Sequence, residues 1–431
     1  MPLRLDSTDA DFEARFTDLV EARRGSDEDV SRDVAAIIAD VKARGDVAVA
    51  QYTARFDGFD PAAMDVRIAK EHCCMALDGL DAELREALEL AAARIRAFHE
   101  KQRPEDSETT DEAGVRMGSR WSAVETAGLY VPGGRAAYPS SVLMNAIPAM
   151  VAGVERIAMV TPTPDGEINP LVLAAAEIAG VQEIYRIGGA QAVAALAFGT
   201  DTIPRADVIT GPGNAWVAEA KRQLYGTVGI DMVAGPSEIV VIADGEADPH
   251  WISADLLSQA EHDPTSQSIL FTDDESLAEA VATGVARQLR NLPTAKTAGK
   301  SWEDNGAIIL VRTLDQAVEL SNRLAPEHLE LAVRDPDMLF ENVRHAGSVF
   351  LGRTTPEAVG DYVGGPNHVL PTGRRARFSS GLSVLDFMKR TSFLGCDDDA
   401  LAAIGPAAVA LAEAEGLPAH AKSVAMRLSR R

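Results

Sequence analysis

The stretch DLLSQAEHDP, residues 255–264, contains two side chains that could bind a metal ion together. Gln259 and His262 are three positions apart, and the apolar spacing from Trp251 to Leu257 predicts a helix. On a helix this spacing places both side chains on one face, about 60° apart around the axis. A surface glutamine beside a surface histidine has the same pattern, so a metal site needs further ligands from elsewhere in the chain.

Four of the eight histidines lie in turn-like segments beside Pro, Asp, Asn or Glu: His262, His328, His368 and His420. Any one of them could be a capping or solvated residue. A ligand set acceptable to zinc could nevertheless be formed by Gln259, His262, Asp361 and His420. Such a set uses nitrogen and oxygen only.

Glu327 directly precedes His328 in the turn APEH, between a predicted helix and a predicted strand. An acid and a base placed next to each other on a turn can serve two successive proton transfers. A purely structural Glu-His pair is more often found on a helix surface. The pair is therefore a candidate for acid and base catalysis.

Composition restricts the kind of metal site and the kind of partner. The chain has only three cysteines, Cys73, Cys74 and Cys396, too few for a disulfide framework or a cysteine-based zinc site. Lys plus Arg number 41 and Asp plus Glu 65, so the net charge is 41 − 65 = −24. This charge disfavours nucleic acid and anionic membranes as partners and favours a small molecule.

Length and hydropathy indicate an ordinary globular protein of two or three domains, with 431 residues, 46% of them hydrophobic. The amino-terminal segment contains acids and no apolar run. No apolar stretch elsewhere reaches the ~20 residues that span a bilayer. We therefore expect a cytoplasmic protein.

The elements that must position these residues follow a βα pattern, typical of a mostly parallel sheet. Helical spacing occupies residues 10–54, with a break at Gly25 and Ser26, and a long amphipathic helix covers residues 81–101. After Trp121, strands are predicted at 156–161, 183–187 and 207–210, and helices at 171–179, 190–198 and 215–224.

A second βα series follows the Gln259 helix. It has predicted strands at 268–272, 307–311, 328–333 and 346–351, and predicted helices at 275–289 and 314–324. A polar loop containing Asp361 and His368 comes after its last strand. A separate tail begins at Phe378 and contains a helix at 407–414 with Pro406 in its first turn.

Glycine-rich turns end several strands of the first series: 130–134, 188–191 and 211–214. In open α/β sheets ligands bind at the carboxyl ends of the strands, where glycine permits close backbone approach. A dinucleotide could lie there. The G-x-G-x-x-G fingerprint is incomplete, however, because Trp216 occupies the position of its last glycine, and the glycines could also be ordinary turn residues.

Five motifs together resemble the histidinol dehydrogenase family: SQAEHD, APEHLE, GDYVGGPNHVLPT, FSSGLSVLDF and AEGLPAHAKS. The resemblance covers nearly the whole chain and is least specific over the first 120 residues. It implies NAD-dependent oxidation of L-histidinol through L-histidinal to L-histidine, with zinc. It also implies two incomplete Rossmann-like βα domains and a carboxyl-terminal helical tail in an intertwined homodimer.

The resemblance further implies a role for each matching residue. Glu327 and His328 would be the acid and base. The zinc ligands would be Gln259, His262, Asp361 and His420, the last from the partner's tail. NAD would contact Tyr130, Gln191 and Asn214. The substrate would contact Ser237, His368 and Glu415, together with the metal ligands and His328.

The implied domain division is discontinuous. Residues 1–129 and 237–381 would form the domain with the metal and catalytic residues, and residues 130–236 an inserted nucleotide-binding domain. Residues 382–431 would form the dimerisation tail.

Three other functions fit parts of the pattern. A related dehydrogenase could use the same residues on another small alcohol, such as a sulfonated diol. A zinc-dependent lyase or hydrolase would need the ligands without a nucleotide site. A catalytically silent zinc-binding protein would not need the Glu327 and His328 pair, whose presence argues against it.

Overall fold

The computed structural model describes residues 2–22, 30–60, 65–133 and 138–429. The expected helix break at Gly25 and Ser26, and Gly134 of the first glycine turn, lie outside these residues. The described strands are β1 (Leu3–Asp6), β2 (Arg67–Ile68), β3 (Ser107–Thr110), β4 (Arg116–Ala123), β5 (Thr126–Tyr130), β6 (Arg156–Val160), β7 (Glu183–Tyr185), β8 (Val208–Thr210), β9 (Gly229–Ile230), β10 (Glu238–Ala243), β11 (Gln267–Thr272), β12 (Ala307–Leu310), β13 (His328–Ala332), β14 (Ser348–Leu351) and β15 (Met388–Gly395).

The described α-helices are α1 (Phe12–Glu21), α2 (Ser31–Arg44), α3 (Asp46–Asp57), α4 (Lys70–Asp78), α5 (Ala82–Glu100), α6 (Pro139–Ala152), α7 (Pro170–Ala179), α8 (Gly189–Phe198), α9 (Ala215–Leu224), α10 (Pro249–Ala260), α11 (Glu275–Leu289), α12 (Ala295–Asn305), α13 (Leu314–Leu324), α14 (Pro336–Phe340), α15 (Glu357–Tyr362), α16 (Asp398–Ala414) and α17 (Pro418–Leu428).

The first sheet contains β10 to β14 and β1, in the order β1-β12-β11-β10-β13-β14, with every pair parallel. Strands β10 and β11 are buried at every position, as expected for a parallel sheet covered by helices on both faces. One face packs on α1 and α13, and the other on α10, α11 and α12.

The second sheet has the order β2-β7-β6-β5-β8-β9, and only β2 is antiparallel to its neighbour. Its faces are covered by α4 to α7 on one side and by α2, α3, α8 and α9 on the other. The Ala-rich helix α8 is almost entirely buried, which its small side chains permit.

The two sheets share one strand order. Counted from β10 or from β5, five strands lie in the order 3-2-1-4-5, which is that of an incomplete Rossmann-like fold. Each sheet also gains an edge strand from the amino-terminal part of the chain, β1 or β2, beside its third strand. The predicted α/β class with two incomplete Rossmann-like units is therefore confirmed.

The third sheet is antiparallel and has the order β15-β4-β3. Strand β15 pairs with β4 over its whole length, from Met388 with Ala123 to Gly395 with Arg116. The chain then continues into α16 and α17, which pack against each other. These two helices are the predicted helical tail.

Several helices begin with residues that cap their free N–H groups. Asp248 accepts a hydrogen bond from the backbone N–H of His250 at 2.7 Å, and Pro249 occupies the first turn of α10. Asn214 caps α9 by accepting from the backbone N–H groups of Trp216 and Val217.

The sequence-based boundaries were wrong in three places. Helix α10 ends at Ala260, so His262 lies in the turn beyond it, where Asp263 and Pro264 stop the helix. Helix α16 begins at Asp398, so Pro406 lies inside it and not in its first turn. Asp361 lies on the short helix α15, which had been expected to be a loop.

The packing of the amino-terminal helices differs from the implied domain division. Helices α2 to α5 contribute to the cores of the second sheet, although residues 1–129 had been assigned with the metal-bearing domain. Of the described residues before residue 130, those in the core of the first sheet belong to β1 and α1. We therefore describe the sites by sheet.

Candidate active site

The residues predicted for metal and proton chemistry lie at the amino-terminal edge of the first sheet. His328 is the first residue of β13, and Ser237 directly precedes β10. Helix α10 runs back from the opposite edge and brings Gln259 and then His262 to this one. Asp361 comes from α15, which follows β14.

His328 is 4% exposed, and its two ring nitrogens have different surroundings. Nδ1 lies 3.2 Å from the backbone oxygen of Glu238 and 3.1 Å from Oε1 of Gln259. Because a backbone carbonyl can only accept, Nδ1 carries the hydrogen. Nε2 is buried without a hydrogen-bond partner, 4.0 Å from an oxygen of Asp361. Burial lowers the pKa of His328 to about 4. The ring is therefore neutral, with a free basic nitrogen.

Glu327 is buried beside a second carboxylate, that of Glu238. The backbone N–H of Glu238 donates to Glu327 at 3.2 Å, and the backbone N–H of Glu327 donates to Glu238 at 3.3 Å. Ser237 also hydrogen-bonds to Glu327. Burial, and then the charge of Glu238, raise the pKa of Glu327 well above its usual range. Arg374 lies 3.7 Å from Glu238 and supplies the opposite charge.

A third carboxylate, Glu357 on α15, was missed by the sequence analysis. Its Oε1 lies 3.1 Å from Nδ1 of His328. His328, Glu357 and Asp361 each offer a donor atom within 4.8 Å of the others, a geometry that could hold a metal ion. Burial, and then the charge of Asp361, raise the pKa of Glu357 well above its usual range.

The remaining predicted residues of this edge are close by. His368 Nδ1 lies 3.0 Å from the backbone oxygen of Asp361, and burial lowers the pKa of His368. A positive charge on His262 would further lower the pKa of both His328 and His368, so His262 faces the same space. Gln259 is fully buried, and its Nε2 has no hydrogen-bond partner.

A second pair of acids, the half-buried Asp255 and the buried Glu330, lies on the same helix and strand as the cluster. Asp255 precedes Gln259 by four residues on α10, and Glu330 follows His328 by two on β13. The two carboxyls hydrogen-bond to each other, which requires a proton between them. Burial raises the pKa of Asp255 to about 6 and that of Glu330 well above its usual range.

Two predicted residues are not joined to the cluster within one chain. Glu415 directly follows α16, and His420 lies in the first turn of α17; both are exposed. Among the hydrogen bonds and ion pairs of the described residues, none links either side chain to the cluster.

The residues predicted to bind the nucleotide share a cavity of about 450 Å³ at the carboxyl edge of the second sheet. Tyr130 ends β5, Gln191 lies in the first turn of α8 and Asn214 caps α9; all three line this cavity. The Tyr130 hydroxyl accepts a hydrogen bond from the backbone N–H of Gly189 at 3.1 Å. The amino-terminal ends of α8 and α9, where anions bind favourably, open towards it.

A buried ion pair holds the third glycine turn of this cavity. Asp231 pairs with Lys221 and accepts from the backbone N–H of Gly211 at 2.8 Å. Lys221 donates to the backbone oxygen of Gly211 at 2.9 Å. Gly211 has φ of 111°, and an added Cβ would lie 2.0 Å from the Tyr130 backbone oxygen. Only glycine fits this position.

Sequence reasoning missed residues in both sites. Glu238 and Glu330 lie in strands, where an acid among apolar residues is a signal of a buried functional or paired group. Glu357 carried no such signal. Asp57 also lines the nucleotide cavity, and nothing in its local sequence connects it with the glycine turns.

The relatives found by comparison with known proteins share one family name. A model of the histidinol dehydrogenase family matches residues 20–428. Histidinol dehydrogenase of Zymomonas mobilis is 68% identical over 430 residues, covering 100% of both chains. That of Rhodospirillum rubrum is 62% identical over 431 residues, covering 100% of this chain and 99% of its own.

A crystal structure of histidinol dehydrogenase from Elizabethkingia anophelis superposes with a TM-score of 0.94 at 37% identity, covering 99% of this chain and 98% of that one. Within the described residues, no helix has both the length and the apolar character needed to cross a bilayer.

Proposed function

This chain belongs to the histidinol dehydrogenase family, and on that premise we propose that Glu327 and His328 carry the proton transfers of its reaction. The enzyme is an NAD-dependent, zinc-containing oxidoreductase. It oxidises L-histidinol through L-histidinal to L-histidine, the last two steps of histidine biosynthesis. This four-electron oxidation contains two dehydrogenations with an addition of water between them. The protein must therefore supply a base more than once.

His328 is the base that takes the hydroxyl proton of the alcohol. The observation that carries this assignment is the free, buried Nε2, whose ring partner Nδ1 is held by the backbone oxygen of Glu238. A fixed tautomer leaves the Nε2 lone pair available to the substrate. Burial lowers the pKa of His328 to about 4, so the neutral form prevails at neutral pH.

Glu327 is the base that takes a proton from water as the water adds to the aldehyde. Its raised pKa makes the carboxylate a stronger base than an exposed one. The hydrogen bonds from Ser237 and from the backbone of Glu238 hold its orientation. Two neighbouring residues thus serve two different steps.

Zinc fits the donor set at this edge. The donor atoms of His328, Glu357 and Asp361 lie within 4.8 Å of one another, and Gln259 offers its amide oxygen beside His328. The available donors are thus nitrogen and oxygen, which zinc accepts. We assign Gln259, His262 and Asp361 as its ligands, with His420 from a second copy of the chain. When bound at these residues, zinc would help to hold a substrate that carries nitrogen donors, and NAD would supply the oxidising equivalents of both dehydrogenations.

The nucleotide cavity suits NAD, since it has two helix amino-terminal ends for the phosphates and polar side chains at its wall. Tyr130, Gln191 and Asn214 are its assigned contacts. The first sheet thus carries the metal and catalytic residues and the second sheet the nucleotide. Ser237, His368 and Glu415 are assigned to the substrate, together with the metal ligands.

The chain acts as a homodimer whose tails are exchanged between active sites. This part of the proposal is supported by the apolar surface of the tail, where Leu394 is 70% exposed, Leu411 65% and Met426 58%. Exposed apolar side chains of this kind are typical of a surface that another protein chain covers. Exchange would also bring Glu415 and His420 to the cluster of a second copy. We place the enzyme in the cytoplasm on the basis of its biosynthetic role alone.

The decisive experiment counts products. Zinc-replete protein incubated with L-histidinol and excess NAD should form two NADH per L-histidine. Sulfonated diols tested in parallel should give no NADH. A stoichiometry of one would contradict the double oxidation, and preference for a sulfonated diol would favour the related dehydrogenases. Consumption of histidinol without any NADH would indicate the lyase or hydrolase alternative.

A further inference from the structure

We propose that Asp57 binds the hydroxyl groups of the adenosine ribose of NAD and thereby excludes the 2′-phosphorylated cofactor NADP. The inference rests on the proposed function, because it concerns the nucleotide of that reaction. It assigns a specificity residue to a part of the chain outside the glycine turns.

Asp57 ends α3, and that helix belongs to the amino-terminal segment that packs on the second sheet. Together with Ile37 and Phe56 it lines the nucleotide cavity, beside the second glycine turn. Tyr130 lines the same cavity. Burial raises the pKa of Tyr130 to about 12, and the negative charge of Asp57 also raises it. The cavity is therefore completed by residues distant in sequence.

The two oxygens of the Asp57 carboxylate differ in their contacts. The backbone N–H of Gly188, at the start of α8, donates to this carboxylate. Oδ2 is buried and has no hydrogen-bond partner. A buried carboxylate oxygen without a donor is costly, and the hydroxyl of a ligand would satisfy it. One oxygen is thus anchored to the protein, and the other is available.

The position of Asp57 matches that of a ribose-binding acid. In dinucleotide-binding folds an acid near the end of the second strand accepts hydrogen bonds from the adenosine ribose. The second strand here is β6, and Asp165 lies in the turn after it. A Cβ added to Gly58 would lie 3.1 Å from Oδ1 of Asp165, so Asp57 is adjacent to this turn. Asp165 itself does not line the cavity.

The charge of the cavity favours a free hydroxyl over a phosphate. Among the described residues that line it, Asp57 is the charged one, and there is no Lys or Arg. A 2′-phosphate at Asp57 would meet a carboxylate, and none of the described lining residues would supply a compensating cation. The structure therefore explains a preference for NAD by repulsion as well as by hydrogen bonding.

The test is calorimetric titration of the full-length, zinc-loaded protein with NAD, NADP and the NAD analogue that lacks the 2′-hydroxyl of the adenosine ribose. Asp57→Ala should weaken NAD binding by about 10- to 100-fold, the loss expected for a hydrogen bond to a charged group. The analogue should bind more weakly than NAD to the wild type and equally well to this variant.

Asp57→Asn keeps an acceptor for the Gly188 N–H and removes the charge. It should narrow the gap between NAD and NADP, and it tests the proposal if Asp57→Ala fails to fold. Asp165→Asn is the matched control and should bind NAD as the wild type does. Unchanged NAD affinity in both Asp57 variants, or a loss confined to Asp165→Asn, would overturn the assignment. Failure of the wild type to bind NAD at all would instead reject the proposed function.

Discussion

Glu327 and His328 are adjacent, and burial shifts their pKa values in opposite directions. Loss of water disfavours the charged form of each group, so the pKa of the acid rises and that of the base falls. The consequence is a histidine that is ready to accept a proton at neutral pH and a carboxylate that binds a proton strongly. Burial at one edge of the sheet thus gives Glu327 and His328 different basicities.

Glu327→Gln should slow oxidation of L-histidinal by about 10²- to 10⁴-fold, because the base for water addition is lost. Oxidation of L-histidinol to the aldehyde should be slowed much less, since His328 remains. Single-turnover measurements with each compound would separate the two steps. The exposed Glu341→Gln serves as control, and equal losses in both steps would contradict the assigned roles.

The same variant should change the pH profile of aldehyde oxidation. The ionised form of Glu327 is the base, and its pKa is raised, so the wild-type rate should increase as pH rises through that pKa. Glu327→Gln should lack this increase. A wild-type rate that falls over the same range would reject Glu327 as the base.

His262→Asn should abolish retention of zinc, as measured by elemental analysis of the purified protein. Glu357→Gln should retain it, although Glu357 belongs to the group of donor atoms that lie within 4.8 Å of one another. The exposed His72→Asn is the matched histidine control. If the Glu357 variant loses zinc and the His262 variant keeps it, Glu357 is a zinc ligand and His262 is not.

The sequence allowed prediction of those site residues that lie in turns with several polar neighbours, such as Glu327 and His328. It did not reveal Glu357 or Asp57, since each is an ordinary acid in its own helix. Their importance arises from the residues opposite them, which are distant along the chain. Contacts of this kind cannot be obtained from local spacing.

At the scale of elements, the third glycine turn shows how a helix and a strand fix a loop. Lys221 lies on α9, and Asp231 directly follows β9. Asp231 accepts a hydrogen bond from the Gly211 N–H, and Lys221 donates one to the Gly211 carbonyl. These two bonds fix the backbone conformation of the turn beside Tyr130. The turn is therefore preformed before any nucleotide binds.

Lys221→Met should lower the free energy of unfolding by about 3–5 kcal/mol, because it leaves Asp231 as an uncompensated buried charge. It should also weaken NAD binding through the displaced turn. Denaturant unfolding and calorimetry would measure the two effects. Lys296→Met, at an exposed position, is the control, and unchanged stability would show that the ion pair is not needed.

The Asp255 and Glu330 pair links α10 to β13 and should make stability depend on pH. The pKa values of both carboxyls are raised in the folded state, so the folded protein is most stable at low pH, where both are protonated. The free energy of unfolding falls as pH rises through about 6, the pKa of Asp255, and on towards the higher pKa of Glu330. Glu330→Gln should therefore raise the melting temperature more in alkaline than in acidic buffer. Glu112→Gln, at an exposed position, should leave the melting temperature unchanged in both buffers. If Glu330→Gln shifts the melting temperature equally at every pH, the buried pair is not the cause of the pH dependence.

Elements with strong helical or strand periodicity were predicted well, as for α9 and α11, whose bounds match the sequence analysis. Ends set by tertiary contacts were not. Helix α16 continues through Pro406 because it packs along α17, and a proline inside a helix had been taken for its start.

At the scale of the molecule, the two sheets use opposite edges. The residues proposed to bind the metal lie at the amino edge of the first sheet, and the cavity proposed to bind the nucleotide lies at the carboxyl edge of the second. The carboxyl edge of the first sheet instead has an open cavity of about 850 Å³ that is lined by several acids, among them Asp244, Asp273 and Asp274. Their negative charge disfavours the phosphates of a nucleotide. This explains why a repeated strand order does not give two nucleotide sites.

Exchange of the tail can be tested by mixing two variants that are each defective in forming L-histidine, with L-histidine formation as the measured activity. Glu327→Gln damages the body of a subunit, and His420→Asn damages its tail. If the tail serves the partner, a mixed dimer has one site with both defects and one with neither. Dissociation and reassembly of equal amounts gives half mixed dimers, so about a quarter of wild-type activity should return. If the tail serves its own subunit, every site keeps a defect and no activity returns. The doubly substituted chain mixed with wild type is the control, because it separates reassembly from complementation.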